Sequence, residues 1–471
     1  MHRARLWLSA AAFSAGVLAG WREPNELMVV CGASLGLTMV PVRNGLVRLA
    51  GLVLVAFACG AVVVSLHVAR AAPLMELADR YPRCRVVGTV SQRTPIGTFI
   101  RLRRGSCEGA PFPSGAEVVM TDAPGELGGR IETTAWLTPL EDQGIDGARR
   151  RAGAAASMDA GAIRVRKPTG LIYRAALTIR ASLRRATEDR SSTTAGLLRG
   201  LAIGEIDRLP AHSKESLRRA GLSHLVAVSG TNVTIVLTAV ASVVGRISRR
   251  VRMGACSGAL VLFVAVVGPE PSVLRAAAMG AVGLVALMAG SRSSPLDALA
   301  LAVVSVLAVR PHMIHSVGLH LSVAATAGIC LWASHLHRRW RYGPGWLRAA
   351  LAVTLSAQAA VAPLLIIVFG EISVTSVPAN LLAAPAVAPA TVIALAAAVV
   401  GLASDAAARA LVSIAAPFAD WIATIGEWLG AAGWTSVSVR SPFGVLASLI
   451  LVGVLAIGGA RADRASRRDV A

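Results

Sequence analysis

Amide side chains stranded in apolar sequence are the first residues here that could do chemistry. Asn232, Gln358 and Asn380 each sit inside a long apolar run, where an unsatisfied amide is costly, so each is expected beside a polar pathway. The first lies in Ser223-His224-Leu225-Val226-Ala227-Val228-Ser229-Gly230-Thr231-Asn232-Val233-Thr234, an imidazole followed by a Ser-Gly-Thr-Asn cluster. The second follows Leu355 and precedes Pro363, which predicts a kinked span. The third lies between Pro378 and Pro389, with Pro385 between them; this density of prolines predicts a discontinuous or re-entrant helix. For Ser and Thr alone, gluing one helix to another is the expected use. Arg275 lies a few residues inside its span and is expected to snorkel to the outer head groups. His335 and His337 lack a neighbouring Asp or further His, so no metal site and no cofactor are expected. No G-x-x-x-x-G-K-[ST] loop supplies energy.

These residues must be held by membrane helices. The chain of 471 residues is 55% hydrophobic and 15% charged, with a mean hydropathy of +0.62, which excludes most soluble enzymes. Apolar stretches at 6–20, 27–40 and 46–68 form a first group. A second group runs through 222–245, 253–268, 272–290, 296–309, 315–334, 346–369, 374–402, 410–431 and 442–460. The pattern predicts a polytopic α-helical membrane protein of about 12 transmembrane helices.

Arginine placement tests that topology. There are 47 basic against 26 acidic residues, a net +21, and all the basic residues except Lys167 and Lys214 are arginine. With the amino terminus in the cytoplasm, the inner loops hold Arg43, Arg48, Arg246, Arg249, Arg250, Arg252, Arg292, Arg338, Arg339, Arg341 and Arg348. The outer loops at 268–271 and 370–373 hold none. The tail at 461–471 carries four arginines and belongs inside, which leaves 71–220 extracytoplasmic.

Residues 71–170, after the third span, change character. Arg85–Ser91, Thr98–Arg103, Ala116–Thr121, Ile131–Leu137 and Ala162–Arg166 read as five strands with Gly/Pro turns, which fit a small OB-like barrel or an isolated meander. Arg149–Arg151 are expected in a solvated Gly/Ala-rich loop. Of the six cysteines, Cys84 and Cys107 alone fall in this region, where a disulfide could persist. Residues 171–220 form a connector. Leu171, Ala175, Ile179 and Leu183 recur against Arg174, Arg180, Arg184 and Arg185, the pattern of an amphipathic helix on a membrane surface, and Thr194–Ala220 reads as a second such stretch.

The string 196–236, GLLRGLAIGEIDRLPAHSKESLRRAGLSHLVAVSGTNVTIV, resembles the ComEC family of competence proteins, inner-membrane channels for DNA uptake. The resemblance continues through 271–301, GLHLSVAATAG at 318–328, which contains Ser322, and 356–389. It implies a three-helix start (1–70), the extracytoplasmic OB-like domain (71–170), the connector (171–220), a competence bundle (221–460) and a basic tail. The family's His-Leu-x-Ala-x-Ser-Gly element falls on His224, Leu225, Ala227, Ser229 and Gly230, with Asn232 where relatives carry a second histidine. The acidic residue of its Gly-Asp pair falls on Glu205, and its Asn-Leu-Leu-Ala-x-Pro element runs from Asn380 to Pro385. Glu205, His224, Ser229, Gly230, Asn232, Asn380 and Pro385, together with Arg275, Ser322 and Gln358, are the residues expected along a DNA pathway. Many relatives carry a metallo-β-lactamase-like domain; no H-x-H-x-D-H run occurs here, so nuclease activity is not expected.

The implied function is a passive conduit for single-stranded DNA in the bacterial cytoplasmic membrane. Its implied partners are membrane lipids, a surface DNA receptor, a cytoplasmic motor or strand-binding protein, and further copies of itself. A small-molecule or lipid-linked exporter, or a non-transporting scaffold, would use similar helices. Tyr81, Phe99, Phe112 and Trp136 are the aromatic residues available for base stacking in the outer domain.

Overall fold

The computed structural model describes residues 2–20, 45–431 and 436–438, apart from 95, 108–109, 112–113, 122, 169, 227–229, 246, 289–293 and 341. The chain divides into two compact units. One comprises residues 1–177, 268–274 and 278–316; the other comprises 178–267, 275–277 and 317–471.

In the first unit, α1 (His2–Gly20) packs along α2 (Gly45–Ala78). The barrel follows, made of β1 (Arg83–Thr94), β2 (Gly97–Cys107), β3 (Glu117–Met120), β4 (Arg130–Thr138) and β5 (Ala156–Arg166). The β1–β2, β2–β3, β4–β5 and β1–β4 pairs are antiparallel and β3–β5 is parallel, so the sheet closes in the order 1-2-3-5-4. That order, with one parallel seam, is OB-like. Alternation explains it: in β4, Ile131, Thr133, Ala135 and Leu137 are buried, while Arg130, Thr134 and Trp136 face out. The inward residues Val86, Ile100, Leu102, Val118, Ile131 and Leu137 form a core that takes in Leu74 and Ala78 from the end of α2. Gly88 sits at a register shift, and a Cβ there would lie 2.4 Å from Ile100 Cγ2, so only glycine lets the strand bend this close to its partner. Cys84 and Cys107 are joined as a disulfide across the paired ends of β1 and β2.

The arginine run expected in a solvated loop instead ends a helix, α3 (Gly144–Arg151). Arg149 is 7% exposed and donates to Ile96 O (2.8 Å), Asp146 Oδ1 (3.0 Å) and Thr121 Oγ1 (2.9 Å). Asp146 in the first turn and three arginines in the last complement the helix dipole, a pattern that the loop reading overlooked.

The connector contributes α4 (Leu171–Ala186), α5 (Ser192–Ile203) and α6 (Ala211–Arg219). The bundle helices follow a short turn, α7 (Ser223–Val226): α8 (Gly230–Val244), α9 (Arg249–Val267), α10 (Pro271–Met288), α11 (Pro295–Val309), α12 (Val317–Arg339), α13 (Gly345–Phe369), α14 (Ser376–Val400) and α15 (Asp405–Gly430). Six described helices are long and apolar enough to cross a membrane: part of α2 (Ala58–Ala78), α9, α12, α13, α14 and α15. Leu8–Ala19, Asn232–Val244, Pro271–Leu287 and Pro295–Val309 are shorter apolar helices on expected spans. The count of about twelve is therefore not reached among the described residues; the expected spans 27–40 and 442–460, like the basic tail, lie outside them.

The discontinuous helix expected at the three prolines is continuous. Pro378 occupies the first turn of α14, where a missing N–H removes no bond, and Pro385 and Pro389 lie inside one unbroken helix. Close to the lost bonds, the Trp421 indole donates to Leu382 O at 2.9 Å, and α14 and α15 pack along each other with alanine-rich faces.

Candidate functional site

Two places in the fold concentrate polar chemistry. The first is the outside of the barrel. Arg83 and Arg85 by alternation, Arg103 and Arg104 at the register shift opposite Val87 and Gly88, and Arg164 are all exposed, and none has an ion-pair partner among the described residues. Register sets Arg83 opposite Trp136, Thr89 opposite Arg130, and Arg130 opposite Arg166. Glu132 pairs with Arg130 at 3.3 Å and with Arg166 at 3.6 Å, and Glu117 pairs with the exposed Arg101 of β2 at 2.8 Å. Trp136 is 53% exposed and Tyr81 57%. Phe99 is buried in the barrel, and Phe112 lies outside the described residues. The face thus offers guanidinium groups and an indole on a rigid sheet, the chemistry that grips phosphates and stacks bases.

The second place is the centre of the bundle unit. Helix α5 starts where Ser191 Oγ accepts from Thr194 N at 3.1 Å, and ends at Gly204, whose φ of 75° is the left-handed cap conformation. Every residue from Thr194 to Ile203 is buried, so the amphipathic reading of this stretch is corrected: a helix apolar nearly all round is a core helix. Its contacts run to α14 and α15.

The cap places Glu205 at the helix end, with its N–H on Arg199 O. Glu205 is 8% exposed. Arg184 holds both of its oxygens, through Nε at 2.8 Å and Nη2 at 2.6 Å, and Arg180 Nε adds a third bond at 2.6 Å. Burial alone would raise this carboxyl, but the hydrogen bonds from Arg184 and the charge of Arg180 outweigh it and hold the group below the usual carboxylate range. Arg180 also reaches Val266 O at 3.3 Å. Arg199, 8% exposed, donates to Thr187 Oγ1 and Arg184 O, both at 2.7 Å. The reading of Arg180 and Arg184 as a surface face for head groups is thereby corrected, since both guanidiniums turn onto Glu205. The i, i+4 spacing of the two arginines was the available signal; nothing in the pattern named the carboxylate they would meet. Leu171, at 76% exposure, is likewise outside any core, while Ile179 and Leu183 are buried as expected.

The remaining site residues fall into pairs. Asn232 is 2% exposed and its amide donates to Leu201 O at 2.8 Å, tying α8 to α5. The exposed His224 of the turn α7 and the half-buried Asn380 in the first turns of α14 are near enough for their side chains to interact. Gly230 opens α8; Ser229 lies outside the described residues. Arg275, 7% exposed, donates to Thr326 Oγ1, whose own hydroxyl donates to the carbonyl of Ser322 at 2.9 Å. The expected snorkelling of Arg275 is thus corrected: the side chain is enclosed by protein. Gln358 is half-buried and Pro385 exposed. No group of three or more His, Cys, Asp or Glu residues able to hold a metal occurs among the described residues. Sequence reasoning missed Arg199, Thr326 and Asp420, which accepts from Thr194 Oγ1 at 2.5 Å.

Comparison with known proteins completes the description. The chain is 27% identical over 192 residues to ComE operon protein 3 of Bacillus subtilis (strain 168), which covers 40% of this chain and 24% of that protein. It is 30% identical over 207 residues to the uncharacterized protein YcaI of Escherichia coli (strain K12), which covers 40% of this chain and 26% of that protein. The matches thus span about a quarter of the length of these relatives. No solved structure matches. The family described as Competence protein matches residues 201–464, more than half of the chain and including α8 to α15. The chain is therefore a membrane-embedded member of the competence protein family of the ComEC type.

Proposed function

We propose that this protein takes part in DNA uptake during natural transformation, as a passive conduit that carries single-stranded DNA inward across the cytoplasmic membrane. The observation that carries the reading is the outer face of the barrel, where five exposed arginines without carboxylate partners share a sheet with the exposed Trp136. Such a face attracts phosphates, and its grip weakens as salt rises. The distribution of arginines supports an extracytoplasmic barrel and cytoplasmic termini. In this reading the bundle conducts the strand, and a separate cytoplasmic motor or strand-binding protein pulls it, with a surface receptor delivering it. The His224–Asn380 and Arg275–Thr326 pairs are the polar groups of the bundle assigned to the strand. Glu205 and Asn232 instead hold the core helix α5 in place.

The test is uptake of labelled DNA into the cytoplasm after deletion of the gene and complementation. The conduit reading requires that deletion abolish uptake and that the intact chain restore it. Uptake at wild-type level in the deletion strain would overturn it, and export of a small molecule dependent on the chain would favour a transporter of another class.

A further inference from the structure

The buried arginine of α10 is a charge that the described residues leave without a carboxylate. Arg275 is 7% exposed, so neither lipid nor water surrounds its guanidinium. Among the described residues no carboxylate pairs with it. Its donation to Thr326 Oγ1 is to a neutral hydroxyl already oriented by its own bond to Ser322 O. Its Nε has no hydrogen-bond partner among the described residues. Arginine does not shed its proton at any physiological pH. The group therefore stays cationic in a dry place, where a charge without a counter-ion is strongly disfavoured.

Glu205 shows the ordinary solution, with a carboxylate placed against Arg180 and Arg184. At Arg275 that partner is missing while the fork of donors is retained. Three residues after Thr326 the same helix carries a π-helical segment, Ile329–Ala333, an irregularity frequent at functional sites. Helix α12 is thus locally irregular next to the cation.

We propose that Arg275 is an anion site of the bundle, and that the anion it takes is a phosphodiester oxygen of the passing strand. This rests on the conduit reading and adds the residue that would contact the backbone inside the membrane. A guanidinium suits the task, since its fork matches a phosphate with two parallel hydrogen bonds and reads no base. Held dry and lacking a carboxylate of its own, it keeps its donors available for an anion that arrives and leaves.

The experiment uses the full chain in lipid nanodiscs and a fluorescein-labelled oligothymidylate, with affinity followed against salt. Arg275→Gln is expected to bind more weakly and to lower the slope of log K against log salt by about 0.7, the value for one phosphate contact on a single strand. Arg275→Lys is expected to keep the wild-type slope with lower affinity, because the charge remains and the fork is lost. DNA uptake at matched protein levels should fall in the same order. If Arg275→Gln does not accumulate, Arg275→Lys decides alone: wild-type affinity and uptake overturn the proposal. Wild-type slope and uptake in Arg275→Gln also overturn it, leaving the conduit reading intact. Failure of the wild-type chain to bind the oligothymidylate would sink the conduit reading, and the inference with it. Repeating the titration with and without phosphatidylglycerol separates the sources of phosphate. A slope difference that persists in both supports the strand, whereas one that vanishes without the anionic lipid assigns Arg275 to a head group and overturns the proposal.

Discussion

The barrel and the bundle spend arginine in opposite ways. On the barrel, Arg83, Arg85, Arg103, Arg104 and Arg164 stand in solvent without carboxylates. In the bundle unit, Arg180 and Arg184 are folded onto one carboxylate, and Arg199 is enclosed against Thr187. An exposed cation on a sheet costs the fold little and remains available to an outside anion. An enclosed one that is matched, as Arg180 and Arg184 are by Glu205, becomes a fastener. The residue type is the same in both places; burial decides between attraction and architecture.

The largest effect that would break this contrast is expected at Glu205. Replacing it with alanine leaves Arg180, 14% exposed, facing Arg184 without a counter-ion. The loss should approach the lower end of about 3–5 kcal/mol, because Arg184 at 36% exposure is partly screened by solvent. Thermal denaturation of the full chain in detergent reads it, and an unchanged midpoint would show that the cluster is not a fastener. The same measurement on Glu132→Ala, which frees Arg130 and Arg166 on the barrel, should move by no more than about 1 kcal/mol.

Next comes the disulfide. Cys84→Ser with Cys107→Ser opens a loop of 23 residues' separation and should cost the barrel about 2–4 kcal/mol. Limited proteolysis should show cleavage rising within 83–166 and not within α14 or α15.

A smaller change, in binding alone, is expected at Trp136→Ala. Its indole is outward and 53% exposed, so stability should hold while oligothymidylate binding weakens by about 1–3 kcal/mol. Equal affinity in titrations of the two proteins would remove the indole from the interface.

The smallest contrast is one of pH. Burial, with lesser contributions from nearby charges including Arg310, pushes His312 down to about 4 from its ordinary 6.5. A depressed histidine is neutral in the fold, so its stabilising contribution is present above pH 6.5 and is lost as pH falls from 6.5 to about 4. Glu215, held at about 2 against an ordinary 4.5 by hydrogen bonds first from Arg218 and then from Arg219, loses its contribution only between 4.5 and about 2. On acidification the barrel unit should therefore soften before the α6 ion pairs do. Hydrogen exchange at stepped pH checks the order, and His312→Gln should flatten the barrel's response between 6.5 and 4.

Much of the barrel was legible in the sequence because a strand with one wet face writes its orientation every second residue. Ile131 to Leu137 alternate in sequence as they do in burial. The continuity of α14 was not legible. Three prolines read locally as a break, and only the adjacent helix, with the Trp421 indole beside Leu382 O, makes the unbroken path tolerable. The destinations of Arg149, Arg180 and Arg184 were hidden for a related reason. Helical spacing fixes which side chains share a face, and long-range packing alone decides what covers that face. Of the residues assigned to a DNA pathway, the sequence singled out Asn232 by its cost in lipid, and the fold answers that cost with Leu201 O, a use that any buried amide can find.

The parallel seam between β3 and β5 also dictates an order of birth. Val118 cannot meet Ala156 until more than thirty further residues have been made, with β4 and α3 lying between them. If the barrel lies outside, the ribosome must thread nearly the whole of it through the translocon as an open chain, with α2 already laid down ahead of it. The end of α2, which supplies Leu74 and Ala78 to the core, is then the first wall against which the late strands can close.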